Sequence, residues 1–170
     1  MNFLDLAATR YSCKHFDGTQ ITKDQLDAIL EAGRLAPTAK NNQPQRIYVV
    51  QSAENLAKID KATPCRYGAQ TVLVVAYDTT NVFTYPGEKH TSGAEDAAIV
   101  ATHMMLAAAD NGVDSCWINF FNPEALAKDL GLPETETIVM LLDLGYAAPE
   151  GKPLPNHTSR KAIAETVQYL

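Results

Sequence analysis

Residues 92–112, SGAEDAAIVATHMMLAAADNG, decide the fold. From Ala97 to Ala109 the stretch carries no charge and only two polar side chains, Thr102 and His103. Alanine, leucine and methionine lose little side-chain freedom in a helix, so helix is the expected state. Ser92 with Glu95 three residues on has the spacing of a capping box, and Gly112 suits a left-handed stop. A helix of about 20 residues is about 30 Å long. Its apolar residues do not keep to one stripe, so it needs cover nearly all round. It is too short and too Ala-rich for a membrane span, with Thr102 and His103 inside it. One small domain covers one side; a second subunit could cover the rest. The stretch is therefore read as the core helix and a dimer contact.

Working outward, residues 2–9 read as a short helix with Phe3, Leu4, Leu6 and Ala7 on an apolar face. Thr22 opens the next helix with Gln25 at the capping-box position, and Leu26, Ile29, Leu30 and Gly33 share a face. That helix ends before Pro37, because a proline pushes the preceding residue out of helical geometry. Arg46–Gln51 and Thr71–Tyr77 read as strands, the second apolar on both faces and hence central. Ser52 caps a short helix to Lys61. Residues 78–91 form a polar loop long enough to be functional or mobile. Asp114–Asn119 is a short strand or extended turn, Asn122 and Pro123 open a helix closed by Gly131, and Ile138–Leu144 is another buried strand. Gly145–Pro155 is a loop and Arg160–Tyr169 a terminal helix. Helices and strands alternate without a regular βαβ beat, which favours an α+β layered sheet.

At 170 residues the chain reads as one domain, residues 1–170, with no internal repeat or linker. A formal charge of −6 argues against nucleic acid or an anionic membrane as general partner. Asn2 and Asp5 interrupt the N-terminus before an apolar run develops, so no signal peptide is expected. Cys13, Cys65 and Cys116 are odd in number and widely spaced, which suits reduced thiols in the cytoplasm.

Arg10-x-Ser12-x-Lys14 is the first candidate site. A guanidinium offers a planar fork of donors suited to phosphate oxygens, and the serine hydroxyl adds another. In extended backbone, residues 10, 12 and 14 point the same way, so three donors can face one anion. From spacing alone, a solvated basic turn is the commoner outcome. The second candidate is the loop 37–45, where Thr38, Asn41, Asn42 and Gln43 offer hydroxyls and amides that suit the edge of a flat heteroaromatic ligand. Alone, it also fits an ordinary helix-to-strand connection. His103 is read as a hydrogen-bonded core or interface histidine. His15, His90 and His157 have no metal-ligand spacing, and no metal site is expected. Nucleotide-binding glycine motifs and hydrolase motifs are missing. Cys116 lies where burial keeps a thiol inert, and Cys65 beside Arg66 is the thiol best placed to react. Asp96 is read as a helix-dipole carboxylate.

Together these pieces resemble the nitroreductase family of FMN-dependent oxidoreductases, in its short form, over nearly the whole chain. The likeness is carried by RYSCKHF (10–16), APTAKNNQPQ (36–45), the helix from Asp96 to Gly112, SCWIN (115–119), LGYAAPEGKP (144–153) and TSRK (158–161). It implies a three-layer α-β-α sandwich with a mainly antiparallel central sheet and a long core helix at a dimer interface. It implies a homodimer with FMN at the interface, reduced by NADH or NADPH and reoxidised in ping-pong fashion by a flat acceptor such as a nitroaromatic or quinone. By this likeness Arg10 and Ser12 hold the phosphate, with Tyr11 and Lys14 alongside and Lys14 near the ring. Arg160 matches a distal phosphate-binding arginine. A basic residue often lies two positions earlier, where this chain has Thr158, and Lys161 is the substitute available. Pro37, Thr38, Ala39 and Asn41 match a loop reaching the flavin from the partner subunit. Trp117, Ile118 and Asn119 match a segment whose backbone faces the reactive ring edge. Gln45 stands where a tryptophan commonly follows Gln-Pro. The resemblance asks no side chain to act as acid or base, since the flavin carries the chemistry. Two other readings are a flavin-binding storage or sensor protein, and a thiol redox protein using Cys65.

Overall fold

Thr71–Ala76 is buried at every position, which a strand achieves only with neighbours on both edges and cover on both faces. The computed structural model describes residues 2–87 and 89–170. Its elements are α1 (Phe3–Thr9), α2 (Lys23–Arg34), a 3-10 turn (Ala39–Asn41), β1 (Gln45–Val50), α3 (Ala53–Ala62) and a second 3-10 turn (Pro64–Arg66). There follow β2 (Thr71–Asp78), α4 (Gly93–Asp110), β3 (Asp114–Ile118), α5 (Pro123–Leu130), β4 (Glu136–Gly145) and α6 (Ile163–Thr166). The strands form one antiparallel sheet in the order β1-β2-β4-β3, so β2 is interior as its two apolar faces require.

Strand alternation splits the core in two. Val72, Val74 and Ala76 of β2, Leu141 of β4, and Cys116 and Ile118 of β3 pack under Leu56 and Ile59 of α3 and Leu126 of α5. Leu73, Val75, Met140, Leu142 and Leu144 face the other way, under Ile29 of α2 and Val100, Ala101, Met104 and Ala108 of α4. The result is the expected three-layer sandwich. A β-carbon on Gly33 would stand 2.8 Å from Met104 Cγ, so the bare glycine lets α2 lie close against α4.

Most caps form as the sequence predicts. Thr22 and Gln25 make a reciprocal capping box, Asn122 caps α5, and Gly112 and Gly131 take φ of +70° and +72°. Four expectations need correction. Ser92 does not cap α4: it is already helical, and its hydroxyl donates instead to the Asp96 carboxylate at 2.7 Å. Phe3 and Leu4 of α1 are 65% and 76% exposed, leaving Leu6 and Ala7 as the half-buried side. The terminal helix shrinks to α6, because residues 158–170 are exposed throughout and so short a helix is marginal without packing. His103 lies on the exposed side of α4 with Ile99 and Thr102, which removes the core half of its reading and not the interface half; its Nδ1 is 2.9 Å from the Ile99 carbonyl. Among the described residues no helix is long and apolar enough to cross a membrane.

Candidate functional site

Chain leaving α1 runs beside β3. Ser12 bridges Ser115 in the parallel sense, and the Cys13 N–H donates to the Ser115 carbonyl at 2.9 Å. This fixes the alternation: Cys13 turns into the core, leaving Ser12 exposed and Lys14 half-buried. The side chains of Arg10, Ser12 and Lys14 have no hydrogen-bond or ion-pair partner among the described residues. The other four arginines are all engaged: Arg34 with Glu31, Arg46 with Asp78, Arg66 with Asp60, and Arg160 with backbone carbonyls. The charge of Lys14 reaches Cys116 on β3 and counteracts part of what burial does to that thiol, whose pKa is pushed up to about 12. Three unengaged donors thus lie in sequence along one edge.

The C-terminal segment closes over this edge. The Tyr11 hydroxyl donates to the Gly151 carbonyl at 2.6 Å, and the Tyr11 ring meets His157 edge-on at 6.3 Å. His157 Nε2 lies 3.1 Å from the Ala8 carbonyl. Burial, and secondarily the nearby Asp114, push the Tyr11 phenol up to about 12, so it acts as a neutral donor and a strut. A cavity of about 120 Å³ lies between Arg10, Tyr11 and Ser12 on one wall and Leu154, Asn156 and His157 on the other. Arg160 follows closely. Its guanidinium donates to the carbonyls of His157 and, at 2.7 Å, Ser159. Lys161 is exposed beside it.

Beyond this cavity lies the segment 117–119. Trp117 Nε1–H donates to the Asn119 side-chain oxygen at 2.6 Å, and the Asn119 amide donates to the Val139 carbonyl at 3.0 Å. Val139 stands at a register shift between β2 and β4, where a strand carbonyl needs another donor. Ile118 is buried. The Asn119 side chain is therefore occupied within the protein, and its segment is held in a fixed position.

Loop 37–41 is not brought to this edge. It precedes β1, at the far side of the sheet from β3, three strand spacings or about 14 Å away. Pro37 and Asn41 are exposed, Thr38 half-buried, and the Ala39 N–H donates to Asp96 at 2.8 Å. Asp96 is thus a clamp on the loop, a role the dipole reading missed. Nothing in the sequence pairs residues 39 and 96. His157 and Gly151 were also missed, because their contacts join chain ends that no local pattern relates.

The profile of the nitroreductase family matches residues 7–66 and 64–146. The chain belongs to the nitroreductase family. A protein of Archaeoglobus fulgidus provisionally named NADH dehydrogenase/NAD(P)H nitroreductase is 30% identical over 154 residues, covering 86% of each chain. The NADPH-flavin oxidoreductase of Vibrio harveyi is 25% identical, over 92% of this chain and 71% of its own. The crystal structure of a nitroreductase family protein from Clostridium difficile 630 superposes with a TM-score of 0.93 at 34% identity, over 99% of this chain and 98% of that one.

Proposed function

We propose that this chain is an FMN-dependent oxidoreductase that takes reducing equivalents from NADH or NADPH and passes them to a flat small-molecule acceptor such as a nitroaromatic or quinone. The observation that carries the reading is the row of unengaged donors Arg10, Ser12 and Lys14 beside a cavity walled by the opposite end of the chain. A phosphate monoester fits that donor set, because charge-assisted hydrogen bonds to guanidinium and ammonium are strong and directional. Arg10 and Ser12 hold the phosphate, with Arg160 as the distal cation and Lys161 its neighbour. Tyr11 pins the two segments together. Lys14 lies toward the ring, where positive charge favours a reduced, anionic flavin. The fixed Trp117–Asn119 segment presents its backbone to the ring edge.

When bound, FMN supplies the two-electron chemistry; the chain supplies binding, orientation and electrostatics. Loop 37–41 lies across the sheet from Arg10 of its own protomer, which favours a site completed by a second copy. In a homodimer formed on the uncovered side of α4, around Ile99, Thr102 and His103, the loop of one protomer reaches the site of its partner. The NADPH-flavin oxidoreductase relative supports the flavin and nicotinamide parts of this reading.

The test is anaerobic addition of NADH or NADPH to the FMN-loaded protein, followed by a quinone. Loss of the visible flavin absorbance and its return on adding the acceptor are the expected results. A protein that binds no FMN overturns the reading.

A further inference from the structure

The first turn of α4 joins two loops. Asp96 is only 2% exposed, and Ser92 is buried beside it. One Asp96 oxygen accepts the Ala39 N–H at 2.8 Å, and the other accepts the Ser92 hydroxyl at 2.7 Å. The same hydroxyl oxygen accepts the Phe83 N–H at 3.1 Å. Residues 38–43 and the loop around Phe83 therefore meet at one buried pair, with the Ser92 N–H adding a backbone bond to the Phe83 carbonyl at 2.9 Å. Direct contacts repeat the tie. Lys40 Nζ lies 4.8 Å from the Phe83 ring centroid, and the Asn81 amide donates to the Asn42 carbonyl at 2.7 Å. Phe83 and Tyr85 meet edge-on at 5.2 Å, and the Tyr85 hydroxyl donates to Glu95.

The 38–43 loop needs such an anchor. Lys40, Asn41 and Gln43 have φ of 53°, 55° and 53°, in the left-handed region. There a β-carbon crowds the backbone, and the conformation persists only where its surroundings hold it. The Thr38 hydroxyl accepts the Gln43 N–H at 3.0 Å, closing the loop on itself, while Asp96 fixes it to the helix. A carboxylate in the first turn of a helix is itself held by the N–H groups at that end.

We propose that Asp96 is a positioning residue: together with Ser92 it holds the 38–43 loop in its strained form and makes the Phe83–Tyr85 aromatic pair move with it as one clamp. The site this clamp serves, the acceptor side of the flavin cleft, rests on the function proposed above. The coupling between the loops belongs to the chain alone. Asp96→Ala releases the Ala39 branch and frees the Ser92 hydroxyl to rotate, while Ser92 Oγ still accepts the Phe83 N–H; Ser92→Ala removes that side-chain tie to Phe83 and leaves Ala39 on Asp96. Asp96→Asn still presents an oxygen to Ala39.

The test is residue-resolved amide hydrogen exchange on the full-length protein and these three variants. Asp96→Ala should speed exchange at Ala39 and Gln43 by about tenfold, the factor a lost charge-assisted hydrogen bond carries, and at Phe83 by a smaller factor as the freed Ser92 hydroxyl turns, with β2 amides unchanged. Ser92→Ala should speed Phe83 and leave Ala39 protected, and Asp96→Asn should restore Ala39. Fluorescence titration with FMN should show weaker binding in Asp96→Ala and recovery in Asp96→Asn. Unchanged exchange in Asp96→Ala overturns the proposal, as does a rise shared equally by the β2 amides. Failure of the unaltered protein to bind FMN overturns the flavin reading alone, because the exchange measurement does not involve FMN.

Discussion

Tyr11 and Gly151 are joined by a 2.6 Å hydrogen bond that spans 140 residues of chain. With the Tyr11–His157 ring contact, it holds the C-terminal segment over the donors of Arg10 and Ser12. Tyr11→Phe keeps the ring and removes the donor, leaving the Gly151 carbonyl unpaired at a cost of about 1–3 kcal/mol. The expected outcome is a lower denaturation midpoint and faster proteolysis around Leu154–Arg160. Cleavage at the wild-type rate would show that the segment is held by other contacts.

The Arg10 side chain has no hydrogen-bond or ion-pair partner among the described residues, so its removal should spare the fold. Arg10→Ala is expected to weaken FMN binding by about 1.5–3 kcal/mol, the worth of a charge-assisted bond, with little change in melting temperature. Calorimetric titration with FMN measures the first and thermal unfolding the second. Unchanged affinity removes Arg10 from the phosphate site.

Asp143 gives stability a pH dependence. It is fully buried, and neither carboxylate oxygen has a hydrogen-bond partner among the described residues. Burial raises its pKa well above the ordinary carboxylate value, with Arg66 pulling partly the other way. The folded chain therefore keeps this proton to higher pH than the unfolded chain. The stabilisation is fully present below the unfolded value of about 4 and is lost as pH rises through the raised folded pKa. Asp143→Asn cannot ionise. Its unfolding free energy relative to the parent should rise as pH climbs above the unfolded value of about 4 and level off once the raised folded pKa is passed, read in denaturant titrations. Parallel curves for the two proteins would refute the assignment.

The three thiols should differ in reactivity. Cys13 and Cys116 are buried, and burial raises the pKa of both. Cys65 is partly accessible. Since the thiolate is the reacting form and must also be reached, one fast-labelling thiol is expected with a disulfide reagent, absent in Cys65→Ser. Flavin-dependent turnover that survives Cys65→Ser also counts against a thiol redox role. Fast labelling that persists in the variant would place the accessible thiol elsewhere.

The elements were legible where local chemistry decides them. Thr22 with Gln25, Asn122 with Pro123 and Gly131, and the all-apolar run of β2 each act within a few residues, and each forms as read. Ser92 misled because a capping hydroxyl has competing partners: here a buried carboxylate and the Phe83 N–H engage it instead. Arg160–Tyr169 misled because apolar spacing makes a helix only when something covers the apolar face. The Arg10-x-Ser12-x-Lys14 donors were visible as residue types, but their lack of partners was not.

By itself, the sequence determined the layered α+β architecture, the central place of β2 and α4, and the family, since periodicity, capping and motif order are written along the chain. Only the tertiary structure decided that Tyr11 meets Gly151 and His157, that Ala39 hangs from Asp96, and that the loop at 37–41 stands across the sheet from Arg10. The physical reason is range. Propensity and capping act over a turn or two, whereas a site is made by whichever distant groups the packed sheet and helices happen to bring within hydrogen-bonding distance.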